Sequence, residues 1–156
     1  MGDMFCFQCE QTAMGKGCEG KQGVCGKKAD TAVLLDELTG ELIALAKAVK
    51  DGENTPETDC LIMDGLFTAI TNVAFDSDVV RQKADAVRAV TATINPCCAC
   101  SGCCSSEPYS MNDLWTADED IRSLKTLILL GLRGMGAYAY HALVLGYSDP
   151  EVNAFF

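Results

Sequence analysis

The first 28 residues contain four cysteines whose spacing suits the binding of a metal centre. Two residues separate Cys6 from Cys9, eight more precede Cys18, and a further six precede Cys25. A two-residue gap lets the chain turn so that both thiolates reach one face of a metal. Four thiolates match the ligand count of a [4Fe–4S] cluster, a [2Fe–2S] cluster or a tetrahedral zinc ion.

The residues around these cysteines fit a thiolate-bound centre with a net negative charge. Six of the 14 glycines lie in residues 1–28, where they let the backbone come close to sulfur. Phe5 and Phe7 can shield the centre from water, and the lysines of this segment oppose its charge: Lys16, Lys21, Lys27 and Lys28. Charge does not separate iron–sulfur from zinc, and buried or disulfide-bonded cysteines are the third alternative. Spacing and composition favour an iron–sulfur cluster.

A second group of cysteines lies within eight residues: Cys97, Cys98, Cys100, Cys103 and Cys104. Two-residue gaps within this group suit chelation of zinc, copper(I) or part of a second cluster. Four ligands on so short a loop are awkward for a cubane, so the favoured interpretation is an oxidisable loop without metal. For Cys60 and the single histidine, His141, ordinary helix packing is favoured over ligation.

Composition restricts the class of protein. The chain has 156 residues, 49% of them hydrophobic and 22% charged, which is typical of an ordered domain. Its net charge of −10 makes nucleic acid an unfavourable partner. There is neither a secretory signal nor an unbroken apolar run of about 18 residues, so we expect no membrane span. Without such a signal we expect a cytoplasmic location, where a chain this rich in cysteine more often binds metal or does redox chemistry than forms a disulfide framework.

The elements that must position the cysteines have helical periodicity. Apolar residues recur at spacings of three and four over 30–49, from about 55 to Phe75, over 78–93 and over 118–145. Val73 and Val79 are placed on buried faces by this pattern. Asp149-Pro150-Glu151 is typical of the start of another helix. Because no convincing strand pattern appears, the predicted class is all-α.

The predicted architecture is a helical bundle preceded by a Cys-rich cluster-binding loop, and the whole chain forms one domain. The loop covers 1–28 and the bundle covers 29–156, with an irregular Cys-rich stretch at about 95–117. Three glycines in the long apolar helix indicate close approach of another backbone: Gly131, Gly134 and Gly136.

Four segments, in order, resemble the N-terminal region of the hybrid cluster proteins, also called prismane proteins or hydroxylamine reductases. They are MFCFQCEQTA (4–13), GVCGK (23–27), LFTAITNVAFDS (66–77) and IRSLKTLILLGLRGMGAYAYHALVLGY (121–147). They are distributed from residue 4 to residue 147, over most of the length of the chain. The stretch from Cys97 to Cys104 does not belong to the family pattern.

This resemblance implies a cofactor and a function. In the family, the cysteines that match Cys6, Cys9, Cys18 and Cys25 hold a cubane or, in some members, a [2Fe–2S] cluster. The short gap between Cys9 and Cys18 is similar to that of the [4Fe–4S] branch. Family members reduce hydroxylamine, and nitric oxide reduction is their proposed physiological role. Their N-terminal cluster passes electrons to a hybrid iron–sulfur–oxygen cluster held by later domains.

Those later domains are absent from this sequence, so no ligand of the hybrid cluster can be placed here. The leading hypothesis is therefore an electron-transfer module that is not catalytic alone. Its partners would be a redox protein, the missing C-terminal domains or a second copy of the chain. The alternatives are a zinc-stabilised helical interaction module without a redox role, and a scaffold whose activity requires a partner chain.

Overall fold

A computed structural model describes residues 4–9, 13–50, 54–94 and 109–156. Within these ranges the chain forms a short 3₁₀ turn, Ala13–Gly15, and six helices: α1 (Ala29–Lys50), α2 (Pro56–Thr68), α3 (Ser77–Ile94), α4 (Met111–Trp115), α5 (Glu119–Val144) and α6 (Pro150–Phe155). The described residues contain two isolated β-bridges but no strand. The all-α prediction is confirmed.

Local capping explains where the helices begin. Thr55 caps α2 in a reciprocal arrangement with Thr58, and Pro56 occupies the first turn as predicted. Asp118 caps α5, where acidic side chains also oppose the positive end of the helix dipole. Asp149 caps α6, which confirms that a helix begins there. Gly146 follows α5 with a φ of +85°, a backbone conformation that favours glycine.

The hydrophobic core lies among α1, α2 and α3. α1 packs along α3 and crosses α2, and the centre of the core is built from fully buried leucines and valines: Leu35, Leu38, Leu45, Val80 and Val87. α5 packs on the other side of α2 and contacts the edge of the core, where Leu132 packs against it and Gly136 approaches Leu66. The bundle thus buries α1 on several sides and leaves most of α5 uncovered.

Two details of the predicted buried faces are wrong. Val73 and Val79 are 42% and 44% exposed. α2 ends at Thr68, earlier than predicted, and Asn72 then adopts a φ of +61°, which no helix can accommodate. The residues released from the helix form a loop that contacts the N-terminal cysteine segment.

α4 lies inside the stretch predicted to be irregular. Ser110 caps this five-residue helix by accepting a hydrogen bond from the Asn112 N–H, and Met111 and Leu114 are buried. So short a helix has no periodicity to detect, and its stability comes from the cap and from packing. Most of the remaining stretch, residues 95–108, lies outside the described residues.

α5 carries a large exposed apolar face. Its most exposed members are Leu124, Leu127, Ile128, Tyr138 and Val144, each at least 60% exposed. By length and composition alone, α5 would also be able to cross a membrane, a test that the core helices of other proteins pass as well. The described residues provide no cover for this apolar face.

Close approach to α2 explains one of the three glycines in α5. A Cβ placed on Gly136 would lie 2.8 Å from the Leu66 Cβ, whereas one on Gly134 or Gly131 would meet no described atom within 4 Å. The prediction of backbone proximity is therefore confirmed at Gly136 alone.

We expect opposite effects from alanine at two of these positions. Gly136→Ala should lower the free energy of unfolding by about 1–3 kcal/mol, because the new methyl group overpacks the contact with α2. Gly134→Ala should raise it by up to about 1 kcal/mol, because alanine is the better helix former and has room. Urea unfolding followed by circular dichroism measures both. Equal effects of the two substitutions would contradict this packing.

Candidate metal centre

Backbone pairing folds the N-terminal segment back on itself. The Cys6 N–H donates to the Cys18 carbonyl at 3.0 Å, and the Gly20 N–H donates to the Met4 carbonyl at 3.3 Å. These bonds bring Cys18 alongside the segment that carries Cys6 and Cys9, although eight residues intervene in sequence. A shared metal centre requires Cys18 to lie near Cys6 and Cys9, and hydrogen bonds between backbone groups bring it there.

A tight turn positions the fourth cysteine. The Gly26 N–H donates to the Gly23 carbonyl at 2.9 Å, and the Gly23 N–H donates to the Lys27 carbonyl at 2.8 Å, so that Cys25 lies at the tip. Gly26 has a φ of +91°, which the turn requires and which a side chain would strain. The position of a Cβ on Gly23 is 3.6 Å from the Cys25 sulfur and 3.7 Å from the Cys18 sulfur. Glycine at 23 thus keeps the space between these two sulfurs open.

All four predicted cysteines line one cavity of about 410 Å³, called here the cysteine cavity. Its other walls come from the same loop and from the turn after α2: Gln8, Gly23, Val24, Lys27, Thr71 and Asn72. Cys6 and Cys9 also line a second, adjoining cavity of about 260 Å³, called here the aromatic cavity. The thiols of Cys6, Cys18 and Cys25 are not joined in disulfides within the described residues.

Backbone N–H groups are directed at two of the sulfurs. The Val24 N–H donates to the Cys18 sulfur at 3.5 Å. Burial raises the pKa of the Cys6 thiol, and the nearby Asp36, Cys9 and Cys18 raise it further, while a backbone hydrogen bond from Gln8 lowers it. N–H donors of this kind stabilise thiolate, the form of cysteine that binds metal.

Lys27 is the buried cation of the cysteine cavity. Its side chain is 1% exposed, its ammonium donates to the Ala74 carbonyl, and it lies 4.4 Å from the ring centroid of Phe75. Burial lowers the pKa of Lys27, and the neighbouring Cys25, Cys6 and Cys9 raise it. Negative charge on these thiols therefore favours the charged lysine, as the sequence-based argument about lysines anticipated.

Three aromatic residues line the aromatic cavity next to Cys6. Phe5 and Phe7 lie 4.9 Å apart by ring centroids, and Trp115 of α4 lies 4.8 and 5.5 Å from them. Tilted and edge-on arrangements of this kind are favourable for aromatic rings. Trp115 is thus a packing residue, as the sequence indicated, and it packs specifically on the residues that flank Cys6.

A polar network beneath the cysteines was not predicted. The Gln8 side chain is 1% exposed, and its Nε2 donates to Asp36 of α1 at 2.6 Å. The Gln8 carbonyl accepts from the Thr71 hydroxyl at 2.8 Å. Arg133 of α5 is also 1% exposed and lines the aromatic cavity beside Cys6 and Cys9. The sequence signal available for Arg133 was its place as the one Asp, Glu, Lys or Arg residue between Lys125 and Val144, in the apolar part of α5.

The other candidate residues do not join this site. Cys60 is half-buried on α2, away from the cysteine cavity. A ring nitrogen of His141 lies 2.7 Å from the Ala137 carbonyl, and its ring packs on Phe67, as expected for a hydrogen-bonded packing residue. The second cysteine group, Cys97, Cys98, Cys100, Cys103 and Cys104, lies outside the described residues, and its role stays a prediction.

The described residues form an all-helical body with a cavity lined by four cysteines at its N-terminal loop, as is typical of a helical protein with a thiolate-bound metal centre. Comparison with known proteins gives the family. The model of the Prismane/CO dehydrogenase family matches residues 4–156. The chain therefore belongs to this family, which confirms the resemblance to the N-terminal region of the hybrid cluster proteins.

Several curated relatives are named hydroxylamine reductase. The chain is 39% identical to one from Bacteroides fragilis and 39% identical to one from Desulfitobacterium hafniense. Each of the two alignments covers 97% of this chain. A hydroxylamine reductase from Methanocella arvoryzae is 38% identical over the same share. The chain spans only 31% and 32% of the length of the first two relatives. The activity in their name is therefore that of much longer proteins.

We expect the buried network to leave a pH signature. Burial raises the pKa of Asp36 to about 7, although Arg133 and the bond from Gln8 act in the opposite direction. The folded protein then binds more protons than the unfolded chain between about pH 4 and pH 7, so the Asp36 contribution to stability falls as pH rises through this range. Asp36→Asn should remove that fall.

Urea unfolding at pH 5 and pH 8 measures this contribution. The stability of Asp36→Asn relative to the unsubstituted protein should be greater at pH 8 than at pH 5. Glu37→Gln, an exposed neighbour on α1, is the control and should show no such change. An identical pH dependence for Asp36→Asn and the unsubstituted protein would contradict the raised pKa.

Proposed function

We propose that Cys6, Cys9, Cys18 and Cys25 hold one [4Fe–4S] cluster and that the chain is an electron-transfer module. The observation that carries the proposal is that all four cysteines line the same cavity. Membership of the Prismane/CO dehydrogenase family and similarity to hydroxylamine reductases support an iron–sulfur cofactor in this position. A [2Fe–2S] cluster is the alternative form of that cofactor.

The spacing of the side chains favours a cluster over zinc. A single zinc ion holds each thiolate at about 2.3 Å and draws four sulfurs into a tight group. Within the described residues, no three Cys, His, Asp or Glu side chains are gathered closely enough to hold one metal ion. A cluster places its thiolates on separate irons, and a cavity of about 410 Å³ lined by all four cysteines has room for one.

When bound, an iron–sulfur cluster supplies a site that takes up and releases single electrons. The protein's own residues would hold it and restrict its surroundings. Lys27 places a positive charge in the cavity wall, and the Val24 N–H stabilises negative charge on the Cys18 sulfur. The rings of Phe5, Phe7 and Trp115 restrict water on the side of Cys6. The positive charge and the N–H donor raise the reduction potential of a thiolate-bound cluster, and the exclusion of water limits its loss of iron.

The proposed partner surface is the exposed apolar face of α5. Relatives are about three times as long as this chain. The exposed face of α5 would contact domains like those in the rest of the relatives, or a redox partner protein. A second copy of the chain is the other possible occupant. Neither the acidic charge nor any described surface suggests nucleic acid as a partner.

We favour protein over lipid as the cover for α5, and a cytoplasmic location. One side of α5 packs on α2, and Arg133 near its middle lies inside the protein next to the aromatic cavity. A membrane-spanning helix would have to accommodate this charge in the bilayer, which is expensive. The apolar composition of α5 is thus better explained by protein contacts on two sides.

Replacing one ligand tests the cluster assignment. Cys9→Ser should lose most of the bound iron and sulfide and most of the broad absorption near 400 nm, because three thiolates cannot complete the site. Cys60→Ser is the matched control, since Cys60 is half-buried and outside the cavity. It should retain iron, sulfide and colour. Full iron and sulfide in Cys9→Ser would refute the assignment.

We further expect that the 156-residue chain does not turn over hydroxylamine by itself. A cluster whose irons each hold one cysteine offers no open position for a substrate. The measurement is an anaerobic assay with reduced viologen as electron donor and protein verified to hold its cluster. Viologen oxidation on adding hydroxylamine should not exceed that in buffer. Sustained oxidation that is lost in Cys9→Ser would place catalysis in this chain.

A further inference from the structure

The guanidinium of Arg133 is buried without a full set of partners. Its side chain is 1% exposed, and Nη2 donates to the Thr39 hydroxyl at 3.1 Å. Nε and Nη1 have no hydrogen-bond partner among the described residues, and both atoms are buried. Arginine is seldom fully buried unless its charge and N–H groups are matched, because each unmatched buried donor costs about 1–3 kcal/mol.

The protein supplies little negative charge to balance this cation. Burial lowers the pKa of Arg133 to about 10, and the charges that oppose this are those of Asp36 and Cys6. A guanidinium with that pKa is positive at neutral pH. Asp36 is itself partly buried, its pKa is raised to about 7, and its Oδ1 accepts the bond from Gln8. Asp36 therefore compensates the arginine only in part at neutral pH.

The remaining negative charge would come from the cysteine side. Arg133 lines the aromatic cavity together with Cys6 and Cys9, the two residues shared with the cysteine cavity. Lys16 is the other cation in the wall of the aromatic cavity, and that residue is exposed. Arg133 is thus the one buried cation that lines the aromatic cavity in the described part of the chain, whereas Lys27 lines the cysteine cavity.

We propose that Arg133 is a positioning residue for the cluster, with its Nε and Nη1 groups directed at the Cys6 and Cys9 thiolates, and that it stabilises the reduced state. This inference rests on the proposed function. On reduction the cluster gains one electron from the reductant, and no bond is made or broken. The added negative charge is favoured by a nearby fixed positive charge and by N–H donors to sulfur, so Arg133 raises the reduction potential.

An equilibrium redox titration tests this inference. Anaerobically loaded protein is titrated with dithionite, and the reduced cluster is measured by electron paramagnetic resonance. Arg133→Gln should lower the equilibrium constant for reduction about tenfold, which for a one-electron couple is about 59 mV toward more negative potential. Arg133→Lys, which keeps the charge, should recover more than half of that shift.

Lys125→Gln is the matched control. Lys125 lies on the same helix and is exposed, so this change alters net charge equally but away from the cavity. Its potential should match that of the unsubstituted protein. A fully loaded Arg133→Gln with an unchanged potential would overturn the proposal, and so would an equal shift in Lys125→Gln.

Loading separates this inference from the proposed function. If the unsubstituted protein binds no iron and sulfide, the proposed function fails. If Arg133→Gln folds but does not load, while Arg133→Lys loads with a potential close to that of the unsubstituted protein, a positive charge at 133 is required and the proposal stands. If both variants fail to load while their circular dichroism stays native, Arg133 supports the site by its shape, and the proposal is overturned.

Discussion

Gln8 connects the cysteine-bearing loop to the helical body by two hydrogen bonds. Its side chain donates to Asp36 on α1, and its carbonyl accepts from Thr71 in the turn after α2. The loop has almost no apolar core of its own, so these bonds help to fix where Cys6 and Cys9 lie relative to the helices, together with the packing of Phe5 and Phe7 on Trp115. Lys27 adds a third polar connection through the Ala74 carbonyl. The early end of α2 makes Thr71 and Ala74 available for these contacts.

Charge balance is the second constraint on the site. Two cations, Lys27 and Arg133, are each 1% exposed, and both adjoin cavities lined by Cys6 and Cys9. Burying a cation is unfavourable unless negative charge lies close to it. Four thiolates around a metal centre provide that charge. The proposed cluster and the two buried cations therefore stabilise one another, and the site needs no large number of acidic side chains.

The sequence predicted the regular parts of this protein well, because they depend on local signals. The 3.6-residue periodicity and the capping residues placed α1 and α3 within a residue or two, and the cysteine spacing identified the residues that share one cavity. α4 was missed because five residues have no detectable period. Asp36 and Arg133 were missed because their roles arise only from contacts between helices that are distant in sequence. The exposed face of α5 has the same composition as a buried one.

In the proposed site, the four thiolates around one cavity hold four irons rather than one zinc ion. Mössbauer spectroscopy of protein produced with ⁵⁷Fe and purified anaerobically, together with iron, sulfide and zinc analysis, distinguishes the two. The proposed site predicts about four irons and four sulfides per chain, with isomer shifts typical of iron in tetrahedral sulfur coordination and almost no zinc. A colourless protein with about one zinc per chain and no sulfide would contradict it.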